Sequence, residues 1–175
     1  MKFRQIFESA DYEQISKQNR SEVSHREIGI CPLPKFYPKK VFEFNDKLMG
    51  ADISSEPKIK EWLLTSQPDM EHVDVKWLMS KPGTIVTSHW DTDAHWRENY
   101  LPKEIDPDVE DVIRRIIFVT DWEQGQDWSF EDKIYTGWKR GTCVEWAWWA
   151  KHGTKNTSDK TRVLIKLTGV RKNIN

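Results

Sequence analysis

From about residue 70 onward, apolar and polar positions come in short, sharply bounded runs. "VDVKWLMS" and "TIVTSHWD" are rich in β-branched residues and flank "KPG", which predicts two strands joined by a tight turn. "RRIIFVTDW" is a strongly apolar run bounded by charge, the pattern of a buried strand. "KIYTGW", the turn "KRGT" and "CVEWAWWA" predict a second hairpin, and "TRVLIKLTGV" predicts a closing strand. "LPKEIDPDVED" is a polar connection between these runs. The first 70 residues behave differently. A short helix is predicted near residues 4–18, and "CPLPKFYPKK" favours extended backbone, because proline fixes its own φ and restricts the residue before it. "SSEPKIKEWLLTSQPD" predicts a short helix with Ser54 or Ser55 as cap, Pro57 in the first turn and Pro68 beyond the end.

A helix-bearing segment followed by at least six short strands implies a mainly β sandwich or barrel with a few helices packed outside. The 175 residues fit one domain, 1–175, with residues 1–70 as an irregular and helical N-terminal segment and 73–170 as the β core. Composition sharpens this. Mean hydropathy is −0.76 and 31% of residues are charged, which is polar for a folded chain. Ten Trp, seven Phe and four Tyr reverse that impression, since disordered chains lack such aromatics. With 27 basic and 28 acidic residues the net charge is −1, so a uniformly basic surface is excluded and nucleic acid is not an expected partner. Cys31 and Cys143 lie far apart with no CxxC spacing, which fits a reducing cytosol. The start "MKFRQIFESADYEQ" lacks a signal peptide's apolar stretch, and no apolar run reaches membrane-spanning length. The expectation is a cytoplasmic protein with no membrane partner.

The candidate chemistry begins at "SHWDTDAHWR", residues 88–97. His89 and Asp91 are two apart near the end of a predicted strand, and alternation sends both to one face. Imidazole and carboxylate together suit a first-row divalent metal, and two histidines with one carboxylate leave open positions for reactants. The pair alone proves little, because a second one, His72 with Asp74, stands in "EHVDVKW". Further along, "WAKHGTKNTSDKTRVLIKLTG" places His152 after a Trp-rich strand and Arg162 ten residues later. His152 is the candidate third ligand. Arg162 is a candidate for holding a carboxylate in a bidentate fork.

"HWD", "RRIIFVTDW", "YTGWKRGTCVEW" and "HGTKNTSDKTRVLIKLTG" together resemble the core of the Fe(II)- and 2-oxoglutarate-dependent dioxygenases, closest in flavour to the aspartyl/asparaginyl β-hydroxylase-like group and its bacterial and phage hydroxylases. The resemblance covers roughly residues 73–170. It implies a double-stranded β-helix (jelly roll), with His89, Asp91 and His152 as metal ligands and Arg162 anchoring the co-substrate. The "W-x-x-G" stretch Trp138–Gly141 resembles the turn before the distal-histidine strand, although Gly141-Thr142 departs from the usual Gly-Asp. Alternation lets only one of Arg114 and Arg115 point inward. Arg115 is carried as a co-substrate contact, and the hydroxyl of Tyr135 or Thr168 as an assistant to Arg162. His95 is carried as cleft lining and Asp93 as turn.

The resemblance implies Fe(II) and 2-oxoglutarate as cofactors, with O2 consumed, a C–H bond hydroxylated, and succinate and CO2 released. The substrate, a small molecule or a protein side chain, is not assigned, and a homodimer through the unmatched N-terminal segment stays open. Two other readings stand beside it. A cupin-like metal-binding enzyme of non-redox chemistry has no special need of Arg162. A non-catalytic jelly-roll binding module would display its tryptophans in an exposed row.

Overall fold

The computed structural model describes residues 1–7, 12–18 and 23–172. Helices α1 (Phe3–Phe7) and α2 (Tyr12–Gln18) open the chain, and residues 8–11, part of the predicted 4–18 helix, lie outside the described residues. There follow β1 (His25–Ile30), β2 (Phe42–Glu43), β3 (Leu48–Asp52), α3 (Pro57–Ser66), β4 (Met70–Ser80), β5 (Thr84–His89) and α4 (Ala94–Asn99). A 3₁₀ turn at Val109–Asp111 leads into β6 (Val112–Phe118), β7 (Gln126–Phe130), β8 (Lys133–Tyr135), β9 (Thr142–Trp146), β10 (His152–Asn156) and β11 (Arg162–Arg171).

The strands form two antiparallel sheets. The large one runs β1-β9-β6-β11-β4-β3-β2 and the small one β5-β10-β7-β8. From β4 onward the chain passes back and forth between them, with β7–β8 the one hairpin on the way. This is a double-stranded β-helix, as the strand pattern and the resemblance implied.

The local expectations meet three corrections. "VDVKWLMS" and "TIVTSHWD" do become β4 and β5, but they do not pair: β4 bonds to β11 and β3, and β5 to β10. The "KPG" turn is a corner between sheets. Thr84 N–H donates to Lys81 C=O at 3.1 Å, with Pro82 second and Gly83 third at φ 81°, the arrangement of a type II turn. In the same way β8 pairs with β7 while β9 pairs with β1 and β6, so "KRGT" is a second corner. Alternation identifies a strand but not its partner, and a chain whose strands must bury both faces changes sheets where a lone hairpin would fold back. Second, the N-terminal segment is less irregular than expected. β1 and β3 extend the large sheet at opposite sides, and β3 is mostly buried or half-buried against β4. Third, α3 forms as predicted, but Glu56 holds its cap position with no side-chain bond to the helix. Ser54 Oγ instead donates to Asp52 at 2.7 Å and accepts from Val75 N–H at 2.8 Å.

The central strands β6, β9 and β11 of the large sheet are buried on both faces, and strand alternation assigns each residue a side. Along β11, Val163, Ile165 and Leu167 join Ile59 and Trp62 of α3 in an outer core. Leu164 belongs to the inner core between the sheets, with Ile116, Phe118, Trp128, Phe130 and Trp146. Fully burying one such side chain contributes roughly 1.5–3 kcal/mol, so the two cores commit β11 firmly to its register. The inner face of β11 therefore reads Arg162, Leu164, Lys166, Thr168, with three polar residues directed between the sheets.

Candidate metal centre

β5 and β10 are antiparallel neighbours, and their register sets His89 directly opposite His152. The two rings lie 4.6 Å apart between centroids. Asp91 follows the end of β5 and closes the group. Its Oδ1 is 3.8 Å from His89 Nε2 and its Oδ2 is 3.3 Å from His152 Nε2. One donor atom from each of the three residues falls within 4.8 Å of the others. At metal–ligand distances of about 2.1 Å, adjacent ligands stand about 3 Å apart, so the three donors are spaced for one ion. The His89 ring is also oriented. Its Nδ1–H donates to Thr87 C=O at 2.8 Å, which leaves the Nε2 lone pair turned toward Asp91.

The electrostatics match the donor set. Burial pushes His152 down to about 4, so the ring is neutral at physiological pH and its Nε2 is free to ligate. Burial alone would raise Asp91, but the Lys166 ammonium and the His152 ring outweigh it and hold the carboxyl well below its usual range. Lys166 Nζ lies 2.6 Å from Asp91 Oδ2. Desolvation would lower Lys166, yet Asp91 and Asp93 hold it above its ordinary value. The ammonium thus occupies the position of a cation beside the carboxylate. Sequence reasoning passed over Lys166, although the signal was present: four residues past Arg162 on one strand, it must share the arginine's face.

Arg162 is fully buried next to this group. Its guanidinium donates to Asp127 C=O at 3.0 Å, Lys155 C=O at 3.3 Å and Ser80 Oγ at 3.1 Å, and it lies over the Trp128 ring at 5.6 Å. No carboxylate among the described residues forms an ion pair with it, and its Nε is buried without a partner. Desolvation accordingly pushes it down to about 10. A cavity of about 120 Å³ runs from His89, Asp91 and His152 past Leu78 and Leu164 to Ser80 and Trp128, the two residues behind which Arg162 is packed. A second, polar groove of about 300 Å³ shares His89, Asp91 and Lys166 and continues between Trp90, His95 and Trp96. His89 and Asp91 therefore stand between an inner cavity and an outer groove, and His152 faces the inner one.

Other candidates fall elsewhere. Arg115 is not brought to the triad. It points to the outer face of β6, where it bonds Asp69, Glu145 and Gln67 at 2.6–3.0 Å. Arg114 is the inward residue, and its Nε donates to Asp93 at 2.9 Å. Alternation decides this once Ile116 and Phe118 are known to face the inner core. Tyr135 Oη donates to Glu27 at 2.7 Å, away from Arg162, and Thr168 lines the outer groove. Asp93 does sit in a turn before α4, at φ 49°. The His72–Asp74 pair is split: His72 at φ 53° offers its carbonyl to Trp96 Nε1 at 2.6 Å, while Asp74 joins Asp52 and His95 in a separate cluster. Most of the tryptophans are buried in the two cores rather than displayed in a row.

No family model matches the sequence, and a search of curated proteins returned no match. Solved structures with a similar chain path include an oxidoreductase of the 2OG-Fe(II) oxygenase family from Burkholderia pseudomallei, 10% identical over 75% of this chain and 72% of that one, with a TM-score of 0.48. The viral collagen prolyl hydroxylase of Paramecium bursaria Chlorella virus-1, in its 2OG complex, is 14% identical over 71% of this chain and 81% of that one, at 0.46. KdgF from Halomonas sp. is 11% identical over 77% and 90%, also at 0.46. Among the described residues no helix is long and apolar enough to cross a membrane.

Proposed function

We propose that the chain is an Fe(II)- and 2-oxoglutarate-dependent dioxygenase that hydroxylates a C–H bond of its substrate. The observation that carries this reading is a two-histidine, one-carboxylate triad in a cavity whose far wall, Ser80 and Trp128, is backed by a buried arginine with no ion-pair partner among the described residues. His89, Asp91 and His152 would hold the metal. When bound, the metal with a 2-oxo acid and dioxygen supplies the oxidising chemistry.

The chain's own residues do the positioning. The Thr87 carbonyl keeps His89 in the tautomer that leaves Nε2 free. Arg162 offers a fixed positive pole for the remote carboxylate of a dicarboxylic acid, reached past Ser80. Leu78, Val86, Leu164 and Trp128 exclude water from the inner cavity, and the outer groove admits the substrate.

A second reading has its own observation. Three hydrogen bonds to Asp127, Lys155 and Ser80 give Arg162 a structural task without any ligand, which favours a cupin-like metal-binding enzyme of non-redox chemistry. One experiment separates the two. Purified protein with Fe(II), 2-oxoglutarate and oxygen is assayed for succinate, beside His152→Ala. Succinate that forms with the parent and vanishes in the variant supports the dioxygenase. Metal binding without any succinate, with or without a substrate panel, moves the assignment to the second reading.

A further inference from the structure

On the opposite face of the large sheet the two cysteines meet. They are 112 positions apart in the chain. The β1–β9 register pairs Gly29 with Cys143 and Ile30 with Thr142, and Cys31 continues the ladder by donating its N–H to Gly141 C=O at 2.8 Å. Cys31 and Cys143 are therefore diagonal neighbours on one face. The approach depends on Gly141, at φ 88°, because a Cβ there would lie 2.9 Å from the Cys31 carbonyl oxygen.

A donor reaches the Cys31 sulfur. Gln67 Nε2 donates to Cys31 Sγ at 3.4 Å, and Arg115 fixes that amide by donating to its Oε1 at 2.8 Å. The Asp69 carboxylate, which would oppose charge on sulfur, is tied up by Arg115 at 2.6 and 2.8 Å. The two cysteines differ in access. Cys143 is fully buried, whereas Cys31 is half-buried and lines an open hollow with Leu33, Phe36, Tyr37 and Arg140. So one sulfur accepts from the Gln67 amide at a solvent opening, and the other lies buried beside it on the same sheet face.

We propose that Cys31 and Cys143 form a peroxide-reactive thiol pair, with Cys31 as the nucleophile and Cys143 as the resolving thiol. The Cys31 thiolate attacks the outer oxygen of a hydroperoxide. The S–O bond forms, the O–O bond breaks, and the leaving alkoxide or hydroxide takes a proton from solvent. Cys143 then attacks the sulfenic sulfur, the S–S bond forms, and the sulfenic oxygen leaves as water with the Cys143 proton. Two electrons pass from the thiol pair to the peroxide. The product staples the exit of β1 to β9. The donors explain the polarity of the pair: the Cys143 and Gln67 bonds, with the Arg115 charge, lower Cys31 to about 6 against its burial, and the bond to Cys31 together with burial pushes Cys143 up.

The test uses the reduced, full-length chain. At pH 7, iodoacetamide alkylates Cys31 at least about tenfold faster than an ordinary thiol, and Cys143 stays unmodified until the chain is denatured. One equivalent of hydrogen peroxide removes both thiols with the mass loss of two hydrogens, and dithiothreitol restores them. In Cys143→Ser, dimedone traps a sulfenic acid at Cys31, and Cys31→Ser leaves Cys143 unreacted. Alkylation of native Cys31 with an ordinary midpoint near 8.5, a disulfide that fails to form in the parent, or peroxide consumption by Cys143 in Cys31→Ser would each overturn the proposal. The parent's alkylation profile needs no variant, so a misfolded substitution does not decide the matter.

Discussion

Among the described residues stand two His/Asp clusters of similar composition, and they differ in what else satisfies their donors. In the first, His89, Asp91 and His152 converge across two strands, and the groups against the Asp91 carboxylate are the Lys166 ammonium and the two imidazole rings. In the second, Asp52, Asp74 and His95 come equally close, but each is already engaged. Asp52 accepts from Ser54 and from Tyr100 at 2.7 Å and bonds His95 Nε2 at 3.0 Å. Asn99 donates to the other His95 nitrogen at 3.2 Å, and Lys76 pairs with Asp74 at 3.3 Å. The second cluster is a hydrogen-bond network joining α4 to β3 and β4 on the wall of the outer groove, whereas the first borders both that groove and the inner cavity. Donor proximity is common, and what marks a site is donors whose remaining valence points into space.

The sharpest way to break this contrast is to remove a ligand from each cluster. His152→Ala is expected to weaken Mn(II) or Co(II) binding by at least about 100-fold in a calorimetric titration, while His95→Ala leaves it within about twofold. Equal losses would mean that the clusters share the ion. Next in size is Arg162→Met, expected to raise the KM for 2-oxoglutarate by roughly 30-fold or more while metal affinity holds, as for a lost charge-assisted pair of about 2 kcal/mol or more. A change confined to thermal stability would assign Arg162 to structure alone.

Lys166→Met tests the cation beside Asp91 and carries the opposite sign. Binding an ion no longer has to displace an ammonium 2.6 Å away, so metal affinity is expected to rise on the order of tenfold. A fall would show that Lys166 supports the ligand geometry instead.

The smallest effect belongs to the second cluster. Burial would raise Asp52, but the bonds from Ser54, Tyr100 and His95 lower it to about 2 from 3.8. The unfolded carboxylate therefore takes up protons first, so the stability that Asp52 contributes is present above pH 4 and lost as pH falls toward 2. Because the side chain is about one-third exposed, the contribution is discounted to about 1 kcal/mol or less. Asp52→Asn should flatten that part of the acid-unfolding curve without moving metal affinity.

The amino-acid pattern by itself determined β4, β5, β6, β8, β9, β11 and the helix at Pro57–Ser66, because period-2 alternation and turn chemistry are local, whereas β7 and β10 lay outside the predicted runs. It also determined the order His89, Asp91, His152, Arg162, which needs no coordinates to be read. Three things waited for the tertiary structure. Which strands pair is a matter of burying both faces of a sheet, so the two apparent hairpins became corners between sheets. Which of two adjacent arginines faces inward depended on which flanking residues fill the inner core, and that sent Arg115 outward and Arg114 to Asp93. Which side chains become neighbours across the fold is set by register. That placed Lys166 on Asp91, Asp74 beside His95, and the two distant cysteines within reach of each other. Local propensity carries no information about these long-range contacts, because only closing the barrel brings them together.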